Sequence, residues 1–337
     1  MIKKIVSLVF CSSLLFSCSS SDDSKENIVG GNKFDDGVFI TNEGNFMSSN
    51  ATISYITEDL SSIYNQIFKN ANNGQGVGDV AQSIAFNEDL AFVVVNNSNV
   101  IEVVNKETFK KIHTITEQMS SPRYALVKND KIFVTHMYAN KVTVYNLSDF
   151  SFITSIDLSF QPEMIVEQND KIYVSSNYYA STNAIAIINP SNNSLINTLA
   201  VDLPINGLTQ GNNSVYALGT SDSESKIYTI DAQGTIISNT IDVVNARYLE
   251  FDLNNLYFTS NLKVYKTSPT IQNTTQLFSV TDNSWSSLYG FEVFDGKIYT
   301  SDAKGFTEDG VVTIYSENGS VIKTFRSGLG TNGFFKD

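Results

Sequence analysis

The chain has few of the residues on which small stapled domains and metal sites depend. Its 337 residues contain two cysteines, Cys11 and Cys18, and two histidines, His113 and His136. So few thiols exclude a disulfide framework, and no Cys/His pair has the spacing of zinc ligands. Gly-x-Ser-x-Gly and His-Glu-x-x-His motifs do not occur either. We therefore expect no catalytic residues, no metal and no cofactor, and a fold stabilised by its core alone.

Positive charge is also scarce. The sequence has 22 lysines and arginines against 35 aspartates and glutamates, a net charge of −13. The basic residues are scattered and form no cluster along the chain. Binding to the phosphate backbone of DNA or RNA requires a concentrated basic surface, so we expect no nucleic-acid partner.

No apolar run is long enough to cross a bilayer comfortably, but a short one stands near the start. The run extends from Ile5 to Phe16 after Lys3 and Lys4, and Ser17 and Cys18 follow it, which gives the sequence Leu15-Phe16-Ser17-Cys18. This order predicts a secretory signal over residues 1–17. The ending resembles the lipobox of bacterial lipoproteins, which implies an acylated Cys18 held in outer-membrane lipid. An ordinary signal with an incidental cysteine is the alternative.

We expect residues 18–33 to form a flexible tether that starts with the lipidated Cys18, because the stretch Ser19 to Asn27 is polar and cannot bury apolar area. It resembles the Ser/Asp-rich tethers of surface-exposed lipoproteins in Bacteroidota-type bacteria. That resemblance implies a position at the cell surface, and a spacer facing the periplasm is the alternative. We expect residues 34–337 to form a single domain.

A repeat of about 40 residues is the strongest internal signal. Each unit has four short runs rich in valine, isoleucine and aromatics, separated by Asn/Asp/Gly turns. One aromatic residue marks the second run of every unit, at Phe39, Phe92, Phe133, Tyr173, Tyr216, Tyr257 and Tyr299. Seven four-stranded units at this period predict an all-β fold, a seven-bladed β-propeller.

The ends of the repeat predict how the ring closes. The first unit has runs at Val38–Thr41, Thr52–Ile56 and Ile63–Phe68 but no strand before Asp35. The segment 331–337 matches the first strand of a unit, so we expect it to complete blade 1. The glycine-rich segment Gly74 to Gly78 is expected to be the connection from blade 1 to blade 2.

The repeat resembles two known groups. The order Ile132-Phe133-Val134-Thr135, a loop, then Lys141 to Asn146 resembles the YVTN-repeat propellers. The segments Gly37–Phe46, Gly78–Ser83, Val95–Asn99 and Pro122–Tyr124 are similar to segments of surface propeller lipoproteins of Bacteroidota-type bacteria. The best-understood members of that group capture cobalamin beside an outer-membrane transporter. The resemblance implies the same fold, a small-molecule ligand and a transporter partner.

Polar and aromatic residues recur where second strands end and where first strands begin. In a propeller these two groups share one face around the channel mouth, and asparagine, tyrosine and tryptophan there suit a large neutral ligand rich in amides or hydroxyls. The candidate ligand-binding residues are Asn42, Glu43, Phe46, Gln82, Asn96, Asn97, Asn99, Arg123, Tyr124, His136, Tyr138, Asn177, Tyr178, Arg247, Tyr248, Trp285 and Tyr289. Glu163, Asn206, Asn261 and Asn332 occupy the same kinds of position.

Three functions remain open on the sequence. A binding module that delivers a nutrient, with a corrinoid such as cobalamin as the leading candidate, agrees with the resemblance and with the scarcity of histidine. A propeller enzyme of the lactonase or quinone-dependent dehydrogenase type, and a scaffold for protein partners, are the alternatives. His136 illustrates the choice, because it is either a ligand contact or a plain loop residue.

Overall fold

The computed structural model describes residues 34–281 and 284–337, so the expected signal (1–17) and tether (18–33) lie outside the described residues. The described chain forms seven sheets, each of four antiparallel strands. This arrangement confirms the seven-bladed β-propeller. No helix of the described residues is long and apolar enough to cross a membrane.

Blades 1 to 4 follow the chain. Blade 1 has β1 (Val38–Asn42), β2 (Thr52–Ile56) and β3 (Ile63–Tyr64), followed by helix α1 (Ile67–Ala71). Blade 2 has β4 (Ala81–Asn87), β5 (Leu90–Val95), β6 (Val100–Asn105) and β7 (Lys111–Ile115). Blade 3 has β8 (Pro122–Lys128), β9 (Lys131–His136), β10 (Lys141–Asn146) and β11 (Phe152–Asp157). Blade 4 has β12 (Pro162–Gln168), β13 (Lys171–Ser176), β14 (Ala184–Asn189) and β15 (Ser194–Ala200).

Blades 5 to 7 repeat the pattern, and the last strand returns to blade 1. Blade 5 has β16 (Ile205–Gly211), β17 (Ser214–Thr220), β18 (Ser225–Ile230) and β19 (Ile236–Ile241). Blade 6 has β20 (Arg247–Asp252), β21 (Asn255–Ser260), β22 (Lys263–Thr267) and β23 (Thr275–Ser279). Blade 7 has β24 (Gly290–Phe294), β25 (Lys297–Asp302), a short 3-10 helix (Lys304–Phe306), β26 (Asp309–Ser316) and β27 (Val321–Leu329). The final strand, β28 (Thr331–Phe335), pairs with β1.

The repeated aromatic residue fills the interface between neighbouring blades. All seven of these side chains are at most 4% exposed, and each belongs to an apolar cluster shared with the next blade. Phe133 of blade 3, for example, packs with Ile165 and Ile172 of blade 4. The period of the aromatics is therefore the period of the blade-to-blade core.

Tight hairpins join the first and second strands. Asn129 and Asp130 have φ of 52° and 57°, and Asn169 and Asp170 have φ of 54° and 57°. Two successive left-handed residues define a type I′ turn, which asparagine, aspartate and glycine tolerate best. In blade 6 the left-handed pair is Leu253 and Asn254, so a leucine occupies one of the two turn positions there.

One expected strand was wrong in extent. We expected a strand over Ile63–Phe68, but β3 ends at Tyr64, and Ile67 and Phe68 begin helix α1. Both side chains are 1% exposed and pack against blade 2 within the first apolar cluster. Helical geometry turns both apolar groups to the blade interface, which an alternating strand would not allow. The glycine-rich segment after α1 connects blades 1 and 2, as expected.

The last strand closes the ring around a buried asparagine. The Asn42 side-chain oxygen accepts hydrogen bonds from Ser327 Oγ (2.9 Å), Gly328 N (3.0 Å) and Thr331 Oγ1 (2.8 Å). Its nitrogen donates to Ser54 Oγ at 3.0 Å. Asn42 thus joins blade 1 to the end of β27 and the start of β28. Its side chain is fully buried and has no exposed surface for a ligand.

We expect Asn42→Ala to lower the free energy of unfolding by about 2–4 kcal/mol, because the substitution removes four buried hydrogen bonds and leaves the Gly328 amide without its acceptor. Urea denaturation of the purified domain measures the change. Asn45→Ala is the matched control, since the Asn45 side chain makes no hydrogen bond to another described residue. Equal denaturation midpoints for the two variants would show that Asn42 does not carry the closure.

Candidate functional site

The first strand of each blade lies innermost and carries the site. These inner strands are β28, β4, β8, β12, β16, β20 and β24. Each runs antiparallel to its second strand, so the start of one lies beside the end of the other, as Pro122 lies opposite His136. We call the surface at these ends the upper face. It includes the loops that follow the second strands.

Seven equivalent side chains surround the mouth of the central channel on the upper face. In every blade one inner-strand residue pairs with the repeated aromatic, and the side chain at the channel mouth belongs to the residue three positions before it. In blade 3, for example, Leu126 pairs with Phe133, and Arg123 stands three positions before Leu126. This polar ring consists of Asn332, Gln82, Arg123, Glu163, Asn206, Arg247 and Tyr289, in blade order 1 to 7.

Most side chains of the polar ring are hydrogen-bonded to one another or to neighbouring side chains. Arg123 Nε donates to Glu163 Oε1 at 2.7 Å, and Arg123 also donates to Gln82 Oε1. The second oxygen of Glu163, Oε2, accepts from Asn177 Nδ2 at 2.5 Å. Blades 2, 3 and 4 are thereby linked across the channel mouth by charge-assisted bonds.

Glu43 completes this linked part on the side of blades 1 and 7. Asn332 Nδ2 donates to Glu43 Oε1 at 2.7 Å, and the Tyr289 hydroxyl donates to Glu43 Oε2 at 3.1 Å. Burial raises the pKa of Glu43 to about 7, although the bond from Tyr289 and the charge of Arg123 oppose the rise. We call these linked blades, 7, 1, 2, 3 and 4, the closed half of the ring.

Blades 5 and 6 form the open half. The side chains of Asn206 and Arg247 make no hydrogen bond or ion pair with another described residue, and neither do those of Asn245 and Asn261 nearby. All four line a cleft of about 500 Å³ on the upper face. The remaining lining residues are Tyr178, Thr220, Thr259, Leu262, Ser284, Trp285 and Leu288.

Aromatic stacking builds one wall of the cleft. Trp285, which is 72% exposed, stacks on Phe306 with ring centres 6.2 Å apart. Tyr289 meets the same phenylalanine edge-on at 5.2 Å. The wall therefore presents a flat indole surface to the cleft, backed by two further rings.

The backbone behind this wall is strained. Leu288 has φ of 124°, a region that residues other than glycine rarely adopt. The Tyr248 hydroxyl is 2.6 Å from the carbonyl oxygen of Tyr289 and 3.3 Å from that of Leu288, and the amides of Leu288 and Tyr289 both donate to Ser301 O. Strain of this kind persists only where surrounding bonds enforce it, and it concentrates at functional sites.

Below the polar ring, a cavity of about 200 Å³ lies on the axis and is lined by all seven inner strands. Glu250 and Glu292 both face it. Burial raises the pKa of both carboxyl groups, to about 7 for Glu292, and the hydrogen bond between them raises the pKa of Glu250 further. The pair therefore holds a proton near neutrality. The described residues contain no group of three His, Cys, Asp or Glu side chains placed to hold a metal ion.

The structure divides the expected ligand-binding residues into groups. The cleft contains Tyr178, Arg247 and Trp285. The closed half and its supports contain Glu43, Gln82, Arg123, Asn177 and Tyr289, and the axial cavity contains Tyr124 and Tyr248. Phe46 and Tyr138 are exposed on upper-face loops outside the cleft lining.

A further group holds the backbone rather than the cleft. Asn96 Nδ2 donates to Pro122 O, Asn97 Nδ2 donates to Asp79 Oδ2, and Asn99 Oδ1 accepts from Ser121 N. Asn42 and His136 were also expected to contact a ligand, but both side chains are fully buried and present no surface to the upper face. Sequence reasoning missed Asn245, Thr220 and Thr259. Their signal is position, since Thr220 and Thr259 stand at the ends of second strands and Asn245 stands two residues before an inner strand.

His136 is the last residue of β9 rather than the first of a loop. Its Nδ1 accepts from Ser120 N at 3.3 Å, and its Nε2 lies 2.7 Å from Thr143 Oγ1. The ring is neutral in this arrangement, with the proton on Nε2 donated to the hydroxyl. Burial, and next the charge of Lys141, lowers the pKa of His136 to about 4.

Comparison with known proteins supports the fold and leaves the function open. Residues 36–293 match a family described as a domain of unknown function, DUF5074, and the chain belongs to that family. No curated protein matches the chain in sequence.

Three solved structures show the likeness in fold. A quinonprotein alcohol dehydrogenase-like protein from Bacteroides thetaiotaomicron has a TM-score of 0.71 at 13% identity, covering 90% of this chain and 79% of that one. Hydrazine synthase from Kuenenia stuttgartiensis has a TM-score of 0.63 at 14% identity, with coverage of 74% and 87%. BamB from Moraxella catarrhalis has a TM-score of 0.57 at 14% identity, with coverage of 87% and 84%.

We expect His136 to make the protein less stable in mild acid. The unfolded chain binds a proton below about pH 6.5, whereas folded His136 stays neutral down to about pH 4. Stability is therefore lost as the pH falls through this window, by about 2 kcal/mol between about pH 7 and about pH 5. Urea denaturation at both pH values should show a smaller acid loss for His136→Gln than for the wild type. His113→Gln is the control, since His113 is exposed on β7; equal acid losses in all three proteins would contradict the assignment.

Proposed function

We propose that this member of the DUF5074 family is a binding protein that captures a nutrient on its upper face and passes it to an outer-membrane transporter. The leading candidate for the ligand is a corrinoid such as cobalamin. The observation that carries the proposal is the cleft in the open half of the polar ring. There, the side chains of three asparagines and one arginine make no hydrogen bond to any described residue.

The chemistry of the cleft suits such a ligand. A corrinoid has amide side chains around its edge, and asparagine offers both donors and an acceptor to an amide. Its flat apolar faces match the exposed indole of Trp285. The volume of about 500 Å³ lies in the usual range for small-molecule sites. Because the cleft opens on the upper face, a larger ligand would seat by one edge and leave the rest accessible for transfer.

The same lining favours binding over catalysis. The eleven described residues that line the cleft include no aspartate, glutamate, histidine, lysine or cysteine. Glu43 and Glu292 have a pKa of about 7, but Glu43 is enclosed by Tyr289 and Asn332 in the closed half, and Glu292 lies in the axial cavity below the ring. A general acid or base must reach the reacting proton, so these positions do not support an enzyme. The likeness to a dehydrogenase-like propeller concerns the fold alone.

The proposal includes attachment to the outer membrane, with the domain at the cell surface. Its support is the short apolar run and the resemblance of Leu15-Phe16-Ser17-Cys18 to a lipobox. We expect Cys18→Ala to move the protein from the membrane fraction to the soluble fraction. If the variant were still labelled by radioactive palmitate, Cys18 would not be the acylated residue. Protease treatment of intact cells separates the two faces of the membrane, because a periplasmic protein would survive until lysis.

We expect calorimetry of the purified domain with cyanocobalamin to show one-to-one binding. Trp285→Ala should weaken the affinity at least about tenfold, since an aromatic stacking surface contributes about 0.5–1.5 kcal/mol beyond its buried area. Tyr138→Ala is the matched control: it removes an exposed aromatic of the same face that does not line the cleft. Absence of heat and of co-elution at micromolar concentrations would remove the corrinoid from the proposal. Equal weakening by both substitutions would move the ligand out of the cleft.

A further inference from the structure

We propose that Arg247 forms an oxyanion subsite in the cleft, so that the ligand of this protein carries a phosphate or carboxylate group. The inference rests on the proposed binding function and narrows its ligand class. It follows from comparing two blades of the same ring, in which one Arg-Tyr pair has a carboxylate partner and the other does not.

The chain has three arginines, Arg123, Arg247 and Arg326, and their side chains differ in their partners. Arg123 binds Glu163 and Gln82 within the closed half. Arg326 lies 3.9 Å from Glu308 in an exposed ion pair. The Arg247 guanidinium makes no ion pair or hydrogen bond with another described residue, and Arg247 lines the cleft. In a protein with a net charge of −13, an arginine without a carboxylate partner is a conspicuous exception.

Arg123 and Arg247 occupy the same position in blades 3 and 6. Each precedes a tyrosine, and each stands three residues before the inner-strand partner of the repeated aromatic. The ring residue of the preceding blade is an amide in both cases, Gln82 for Arg123 and Asn206 for Arg247. On the side of the preceding blade, the two arginines therefore have the same kind of neighbour, an amide side chain.

The following blade makes the difference. Beside Arg123 it supplies Glu163, whose Oε1 accepts from both Nε and NH2 of the guanidinium. Beside Arg247 the equivalent residue is Tyr289, which donates its hydroxyl to Glu43 instead. A guanidinium fork matches carboxylate and phosphate oxygens and is otherwise left with unused donors. An oxyanion from the ligand would take, at Arg247, the place that Glu163 takes at Arg123.

The wall of the cleft keeps this place free. The strained Leu288 leads into Tyr289, and the Tyr248 hydroxyl holds the Tyr289 carbonyl at 2.6 Å. This arrangement points the Tyr289 phenol at Glu43 and away from a bond with Arg247. Trp285 lines the same cleft. Among the described residues of the lining there is no carboxylate that could compete for the guanidinium.

The first experiment compares two corrinoids. Cyanocobalamin carries a phosphodiester in its nucleotide loop, and dicyanocobinamide lacks it. Arg247→Gln should weaken cyanocobalamin binding about 10- to 100-fold, the range for losing one charge-assisted bidentate contact, and change dicyanocobinamide binding less than about twofold. Arg326→Gln is the matched control and should leave both affinities unchanged. An equal loss for the two corrinoids, or no loss for either, would overturn the subsite.

A second experiment does not depend on the corrinoid. Trp285 is the single tryptophan of the chain, so its fluorescence reports on the cleft directly. We expect phenyl phosphate or benzoate at millimolar concentrations to quench it in the wild type but not in Arg247→Gln, with benzyl alcohol inactive in both. The two anions distinguish a phosphate from a carboxylate preference. If corrinoids fail to bind but an anion quenches through Arg247, the subsite stands and the corrinoid proposal falls. Equal quenching by the anions and by benzyl alcohol would overturn the subsite.

Discussion

The blade-to-blade burial of one aromatic side chain is the interaction on which the rest of the molecule depends. The second strand of every blade places a phenylalanine or tyrosine against the next blade, and seven such interfaces close a ring. Because no disulfide supports the described chain, these interfaces and the Asn42 network must supply the stability. The inner strands are thereby fixed at equal spacing around the axis. Equivalent positions then face each other across the channel, which creates the polar ring.

The polar ring shows how a symmetric fold produces an asymmetric site. Symmetry places seven polar side chains at the channel mouth, and local chemistry then decides which of them pair. Arg123 donates to Glu163, and Glu43 accepts from Tyr289 and Asn332. The side chains on the upper face of those blades are therefore hydrogen-bonded to one another. Buried polar groups are costly unless they are satisfied, which explains the density of bonds in the closed half. Groups that reach solvent do not carry this cost, so the open half can leave its donors for a ligand.

The architecture was accessible from the sequence because it depends on a periodic signal. The aromatic positions recur at intervals of about 40 residues after the longer first unit, and the structure confirms the seven four-stranded blades and the last strand that completes blade 1. The extent of the third run of blade 1 was not accessible. Ile67 and Phe68 are apolar in either geometry, and only the space beside blade 2 selects the helix. Local pattern is a weaker guide wherever tertiary packing chooses between two acceptable conformations.

The candidate site was accessible in its composition but not in its division of roles. Asn42 and His136 looked like loop residues of the rim, yet both bury their polar atoms. The partners of Asn42 include residues up to 289 positions away, and both ring nitrogens of His136 lie within hydrogen-bond distance of a neighbouring loop or strand. The sequence immediately around the Arg-Tyr pair does not distinguish blade 3 from blade 6. Their difference is set by the next blade, where Glu163 stands in one case and Tyr289 in the other. In a propeller, the role of a ring residue is therefore a property of the neighbouring repeat, and comparing successive repeats at one register identifies the arginine left for a ligand.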